Sequence, residues 1–332
     1  MTTGPLLDIR RLSTHYVSAR GTRVTRAVDD VTLSLDQGQT LGIVGESGSG
    51  KTTLALTLLR MLPPAARVVS GEMLFEGSDL LKKSEHEMRR IRGKRIAMIL
   101  QDPMMSLNPL FTVGDQVAEP IRVHEGAPRR SAWRRATELL KAVRIAAPER
   151  RVGEYPHQLS GGMRQRIVGA IAISCEPKLL IADEPTTSLD LTIQAQYLKL
   201  LRDLQRAHNL ALIFITHNLG IVAKMCDQVA VMYAGRLVEA GPVKQIYNSP
   251  AHPYTRALLE SIPRLGDSRQ RLTAIEGQPP DPSAPPPGCA FHPRCPKVMD
   301  RCRTEAPPEF RVADSQTSRC WLSAPVSAVR GS

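Results

Sequence analysis

Aromatic side chains are scarce in this 332-residue chain: five Phe, six Tyr and two Trp, 4% in all. Proteins that grip single-stranded nucleic acid stack bases on rings set among basic residues. No such interleaving occurs here, so no nucleic-acid partner is expected despite a formal charge of +12. Long apolar runs are missing as well. A membrane-spanning helix needs about 20 consecutive apolar residues, whereas one of the longer uncharged stretches covers only residues 167–175. The segment MTTGPLLDIR lacks the basic and apolar regions of a secretory signal. These absences point to a cytosolic chain that reaches a membrane only through partners.

What is present suffices for a packed core: 42% apolar and 23% charged residues, at a length that suggests about two domains. Half of the net charge sits in residues 122–151, where nine Lys and Arg stand against three Glu. A solvated helix face is the plain account of such a run. Attraction to an anionic leaflet or an acidic partner is the other.

Along the first third, short apolar runs alternate with polar turns. Residues 6–12 and 27–35 read as strands around a hairpin-like stretch at 18–26, and Thr40–Val44 as a continuous apolar strand. Residues 51–62 read as a helix stopped by Pro63-Pro64. Further strands are predicted at 95–100, 178–182, 210–216 and Gln228–Tyr233, with a helix over 191–208. Residues 113–175, rich in Arg, Ala and Leu, read as an inserted helical subdomain. Strands alternating with helices imply an α/β fold on a parallel, doubly wound sheet. Residues 277–288 carry six prolines and read as an extended linker. Residues 289–332 beyond it hold four of the six cysteines and are too short for a substantial core. A metal or a partner is expected to order them.

One segment carries explicit chemistry. Gly45-Glu46-Ser47-Gly48-Ser49-Gly50-Lys51-Thr52 fits G-x-x-x-x-G-K-[ST] without mismatch, after an apolar strand and before a helix. Its glycines let backbone N–H groups converge on phosphate oxygens, and the helix N-terminus adds positive partial charge. Lys51 is placed to contact the β- and γ-phosphates and the Thr52 hydroxyl to ligate Mg²⁺, with Thr53 next in the ATP-binding set. Leu179-Leu180-Ile181-Ala182 then leads into Asp183 and Glu184, two acids at the carboxyl end of an apolar strand. Open α/β sheets bind ligands at that edge. Asp183 suits the Mg²⁺ shell, and Glu184 suits the polarisation of a water.

Leu159-Ser160-Gly161-Gly162-Met163-Arg164-Gln165-Arg166 resembles the LSGGQ-like signature of ABC-type ATPases. Companion motifs follow that family's order. Gln101 looks like the Q-loop glutamine, Ser188 and Asp190 like D-loop residues, His217 like the switch histidine, and Tyr16 like the adenine-stacking ring. Ser188 stands where many relatives have alanine. Residues 98–109 (MILQDPMMSLNP), 183–190 (DEPTTSLD) and 249–259 (SPAHPYTRALL) resemble the ATP-binding subunits of oligopeptide and dipeptide permeases.

The resemblance implies a P-loop NTPase fold with a mixed sheet core, a helical subdomain at about 113–175 and a small Cys-rich C-terminal extension. It implies an ATPase domain over 1–248 and a permease-type C-terminal region over 249–332, with the Cys-rich tail at 289–320. Catalysis would fall to Glu184, His217 and Lys51, with Mg²⁺ held by Thr52, Gln101 and Asp183. Ser160, Gly161, Gly162, Met163 and Gln165 would act on the nucleotide of a second ATPase subunit. Two transmembrane permeases and an external solute-binding protein complete the implied machine, at the cytoplasmic face of a bacterial inner membrane. Peptides are the implied cargo; a nickel chelate, glutathione or an opine is the alternative. A soluble ABC ATPase of DNA repair or translation is the remote one.

Cys289, Cys295, Cys302 and Cys320 are spaced C-x5-C-x6-C-x17-C, without the tight pair usual in zinc sites. A [4Fe–4S] cluster, zinc and free thiols are all open readings. The resemblance to permease ATPases with such a tail favours the cluster. Cys175 and Cys226 lie in apolar contexts and read as core residues.

Overall fold

The computed structural model describes residues 4–187, 189–262 and 275–325. The chain divides into two compact units, one of residues 1–35, 40–81 and 215–332, the other of residues 36–39 and 82–214.

In the first unit, Leu7–Val17 and Val24–Leu35 form an antiparallel hairpin, paired from Leu7 with Leu35 to Val17 with Val24. Leu7–Val17 pairs on its other side with Ala66–Phe75, again antiparallel, and that strand with Ser78–Asp79. Short turns join Leu7–Val17 to Val24–Leu35 and Ala66–Phe75 to Ser78–Asp79, and such turns return a chain only antiparallel; with every pairing antiparallel, the four strands make a sheet of their own. This corrects the single parallel sheet expected from strand–helix alternation. A second sheet in the same unit is mixed. Thr40–Val44, buried throughout, runs parallel to Gln228–Tyr233. Gln228–Tyr233 turns at Ala234-Gly235, both left-handed, into antiparallel Arg236–Pro242. Two consecutive positive φ values match the right-handed twist of the strands, which is why glycine follows alanine here.

The helix after the glycine-rich turn is Lys51–Leu58, four residues shorter than predicted. It ends before the prolines because Arg60 turns left-handed and the Met61 N–H bonds back to the Leu56 carbonyl. Ala66–Phe75 is not legible in the sequence because none of its first seven residues is buried. Without an apolar face it carries no period-2 signal.

The tail does not stand apart. Gln316–Ser318 pairs antiparallel with Arg236–Pro242 and with Phe310–Ala313. Phe291 is buried in one cluster with Tyr233, Tyr254, Val231 and Val238. These residues borrow the first unit's core, which supplies the apolar contacts the tail lacks by itself. Residues 277–288 contain neither helix nor strand, as six prolines require.

The second unit carries the parallel pair Ile96–Ile99 and Leu179–Asp183. Between them lie Val113–Glu125, Arg129–Ala142 and Gly161–Ile173, the helical segment expected from composition. Its arginines lie mostly outward: Arg129 and Arg134 keep about three quarters of their side chains in solvent. The solvated face is thus what the basic run builds. Among the described residues no helix is long and apolar enough to cross a membrane.

Candidate functional site

The phosphate loop belongs to the first unit. Gly45, Gly48 and Gly50 all have positive φ, at 156°, 78° and 103°. A Cβ on Gly45 would stand 2.1 Å from the Met232 carbonyl oxygen, and one on Gly50 2.0 Å from that of Ala27. Glycine is thus required on steric and conformational grounds together. Lys51 is buried, and its ammonium donates to the carbonyls of Gly45 and Glu46 at 2.8 Å each and to Ser49 Oγ at 3.3 Å. Ser49 is itself buried, whereas Thr52 is exposed at the start of the helix. Ser47 and Gly48, both exposed, complete the turn before Ser49. Tyr16 is half-buried, with its hydroxyl 3.5 Å from Thr53 Oγ1.

Residues of the C-terminal region hold this loop from outside. The Tyr254 hydroxyl accepts from the Glu46 N–H at 2.9 Å. Arg294 donates twice to the Glu46 carboxylate, at 2.7 and 3.0 Å. That carboxylate keeps the Arg294 guanidinium pKa above its ordinary value. The His-Pro-Tyr segment acquires a role for each residue. His252 Nδ1 accepts from the Tyr254 N–H and caps the helix Pro253–Glu260, and Pro253 occupies its first position. Tyr254 is fully buried against Tyr233 and Phe291, with ring centroids 4.6 and 5.3 Å away. Burial pushes the His252 pKa down to about 3, so the ring is neutral in the fold. Nothing in the sequence marked Arg294 or the Tyr254 hydroxyl as neighbours of the loop.

The acidic edge belongs to the second unit. Ile99 is in register with Ala182 on parallel strands, so Gln101 and Glu184, each two residues further on, arrive together. Gln101 Nε2 donates to Glu184 Oε2 at 3.2 Å, and Thr187 Oγ1 to the same oxygen at 3.0 Å. Glu184 has φ 45°, a left-handed conformation rare outside glycine and enriched at functional positions. Asp183 is buried at the strand end.

The signature also lies in the second unit. Ser160 caps the helix Gly161–Ile173, its Oγ accepting from the Met163 N–H at 3.4 Å. Gly161 is exposed, and a Cβ on Gly162 would meet Ile193 Cγ2 at 2.8 Å. Gln165 is not at that tip with them. It is fully buried, near Tyr197, and so is not on the surface a second subunit could reach. Asp190 caps the helix Leu191–Ala207, accepting from the Thr192 and Ile193 N–H groups at 3.0 Å each. Ser188 lies outside the described residues. His217, in the first unit, is exposed two residues beyond the strand Ala211–Ile215.

Of the four tail cysteines, Cys302 and Cys320 are buried and Cys289 and Cys295 half-buried. Burial raises the thiol pKa of Cys289, Cys295 and Cys320, the last to about 12. The Cys289 N–H donates to the Cys302 carbonyl at 2.8 Å. Among the described residues no group of three or more His, Cys, Asp or Glu is arranged to hold a metal ion. Cys175 is buried, and Cys226 is half-buried against the core of the first unit.

A glycine cradle with a buried lysine before a helix defines a P-loop nucleotide site. Comparison with known proteins extends this to the whole chain. The ABC transporter family matches residues 28–187, and the oligopeptide/dipeptide transporter C-terminal region matches residues 238–302. A probable peptide ABC transporter ATP-binding protein, y4tR of Sinorhizobium fredii, is 50% identical over 320 residues, covering 96% of this chain and 95% of its own. The oligopeptide transport ATP-binding protein OppD of Bacillus subtilis is 49% identical, with 96% and 89% covered. The dipeptide transport ATP-binding protein DppD of Escherichia coli is 47% identical, with 95% and 96% covered. Among solved structures, a dimeric post-hydrolysis ATP-binding cassette, MJ0796 with ADP and Pi, superposes with TM-score 0.64 at 25% identity. It covers 71% of this chain and 98% of that one. The chain belongs to the ATP-hydrolysing subunits of ABC transporters, in the oligopeptide/dipeptide branch.

Proposed function

We propose that this chain powers peptide import across a bacterial inner membrane, working at the cytoplasmic face with two permease subunits, a second ABC ATPase and an external solute-binding protein. The preformed phosphate cradle around buried Lys51 carries the ATP part of this reading. Its cargo part rests on relatives whose names specify peptides and dipeptides.

In the mechanism, the N–H groups of residues 48–53 and the Lys51 ammonium hold the phosphates, and Tyr16 stacks on the adenine. Thr52, Asp183 and Gln101 have the oxygen donors that Mg²⁺ prefers. When bound, the ion neutralises charge developing on the phosphates. Glu184, steadied by Gln101 and Thr187, polarises the attacking water. His217 orients that water and the γ-phosphate. Ser160, Gly161 and Gly162 present a helix N-terminus to the nucleotide of the partner ATPase, and Asp190 sets the start of the neighbouring helix.

The same proposal gives Cys289, Cys295, Cys302 and Cys320 an iron–sulfur cluster. Its support is the likeness of the tail to permease ATPases that carry such a cluster and the thiolate chemistry of the group; among the described residues the four cysteines are not arranged as a ligand set. Iron analysis and visible absorption of anaerobically purified protein test it; protein without either would remove the cluster.

Glu184→Gln tests the mechanism directly. Steady-state ATP turnover should fall at least about 100-fold while ATP-driven pairing of ATPase subunits persists. Turnover within a few-fold of the unaltered protein would take Glu184 out of its role.

A further inference from the structure

The phosphate loop contains an electrostatic problem of its own making. Glu46 places a carboxylate on the turn that must receive a polyanion, and a like charge beside a phosphate group weakens its binding. The remedy comes from the far end of the chain. Arg294 lies in the Cys-rich tail immediately before Cys295, and only 4% of its side chain is exposed. Its guanidinium is fully committed. It reaches both Glu46 oxygens, the Tyr233 hydroxyl at 3.3 Å, the Ile275 carbonyl at 3.2 Å and the Glu276 carbonyl at 3.0 Å. It also stands about 6 Å from the ring centroids of Tyr233 and Phe291. The planar fork suits bidentate pairing with a carboxylate. Tyr254 meanwhile fixes the same residue through its backbone N–H. Glu46 is therefore gripped at main chain and side chain, both times by residues more than 200 positions away.

We propose that Arg294 is a positioning residue of the nucleotide site, neutralising Glu46 and holding the phosphate loop in its binding conformation. The tail thereby enters ATP binding through charge, without touching the nucleotide. This rests on the ATP-binding reading above and assigns the C-terminal region a task within it. A solely structural Arg294 would predict that nothing but arginine repairs its loss. A charge-balancing Arg294 predicts that removing the carboxylate repairs it too.

The experiment is equilibrium binding of MgATP to the purified full chain, with thermal melts run in parallel. Arg294→Met should weaken binding about tenfold, and Arg294→Lys less, because the charge remains. The double variant Glu46→Gln/Arg294→Met should recover to within about threefold. Unchanged affinity in Arg294→Met, or a double variant no better than Arg294→Met, overturns the proposal. If Arg294→Met fails to fold, Arg294→Gln, which keeps hydrogen-bond donors without the charge, takes its place, alone and with Glu46→Gln, and the same outcomes decide. Failure of the unaltered chain to bind MgATP would instead refute the nucleotide reading, a result distinct from any of these.

Discussion

The phosphate loop and the acidic edge are both read from short motifs, yet they are held by opposite means. Glu184 is fixed by the register of its strand, by Thr187 three residues on and by Gln101, two residues beyond the adjacent parallel strand. The phosphate loop is fixed in part by Tyr254 of the His-Pro-Tyr segment and by Arg294 of the cysteine-rich tail. Local order makes the acidic edge depend on its own sheet. Distant order makes the loop sensitive to a region that carries no nucleotide chemistry.

The contrast can be broken first where the loop is least tolerant. Gly50→Ala places a Cβ 2.0 Å from the Ala27 carbonyl oxygen at φ 103°. Since a shift of about 1 Å at a reactive site can cost about 100-fold, MgATP binding should fall by that order. Retained affinity in a titration would show that the loop absorbs the atom.

A smaller effect reads the C-terminal grip through pH. His252 is neutral in the fold with a pKa near 3, whereas an unfolded histidine titrates near 6.5. A depressed folded value means that stability is fully present above about pH 6.5 and is lost as pH falls toward 3. The slope approaches one proton, about 1.4 kcal/mol per pH unit. Urea midpoints at pH 7 and pH 5 should differ more for the unaltered chain than for His252→Gln. Equal pH slopes would contradict the burial of a neutral ring.

Smaller again is Asp190→Ala. It deletes a cap that accepts two N–H groups and should cost about 1 kcal/mol by thermal or urea denaturation. The smallest effect belongs to the arginine-rich helix. Arg134 and Glu138, 4.0 Å apart and largely exposed, should contribute under about 0.5 kcal/mol, so Glu138→Ala should leave the melting curve nearly unmoved.

How much was legible follows from the range of each interaction. Thr40–Val44 and Leu179–Asp183 announce themselves as buried strands because, Thr40 and the terminal Asp183 apart, they carry no polar side chain. The glycines of the phosphate loop are legible because their spacing is itself the geometry. The end of Lys51–Leu58 was misread because the stop lies in the left-handed Arg60, a conformation arginine's identity does not encode. The strand Ala66–Phe75 is not legible because a largely solvated strand lacks an apolar face. The separation of 248 residues between Glu46 and Arg294 puts their pairing beyond any local pattern. Gln165 shows the converse. It stands inside a readable motif, but the helix turns it into the core beside Tyr197, where motif membership says nothing about access.

The most direct measurement is purification of the tagged chain from solubilised native membranes, followed by mass spectrometry of what accompanies it. Recovery of two polytopic permease chains and a second ABC ATPase is the predicted result. Recovery of soluble proteins alone, with the chain absent from the membrane fraction, would contradict its role as the motor of an importer.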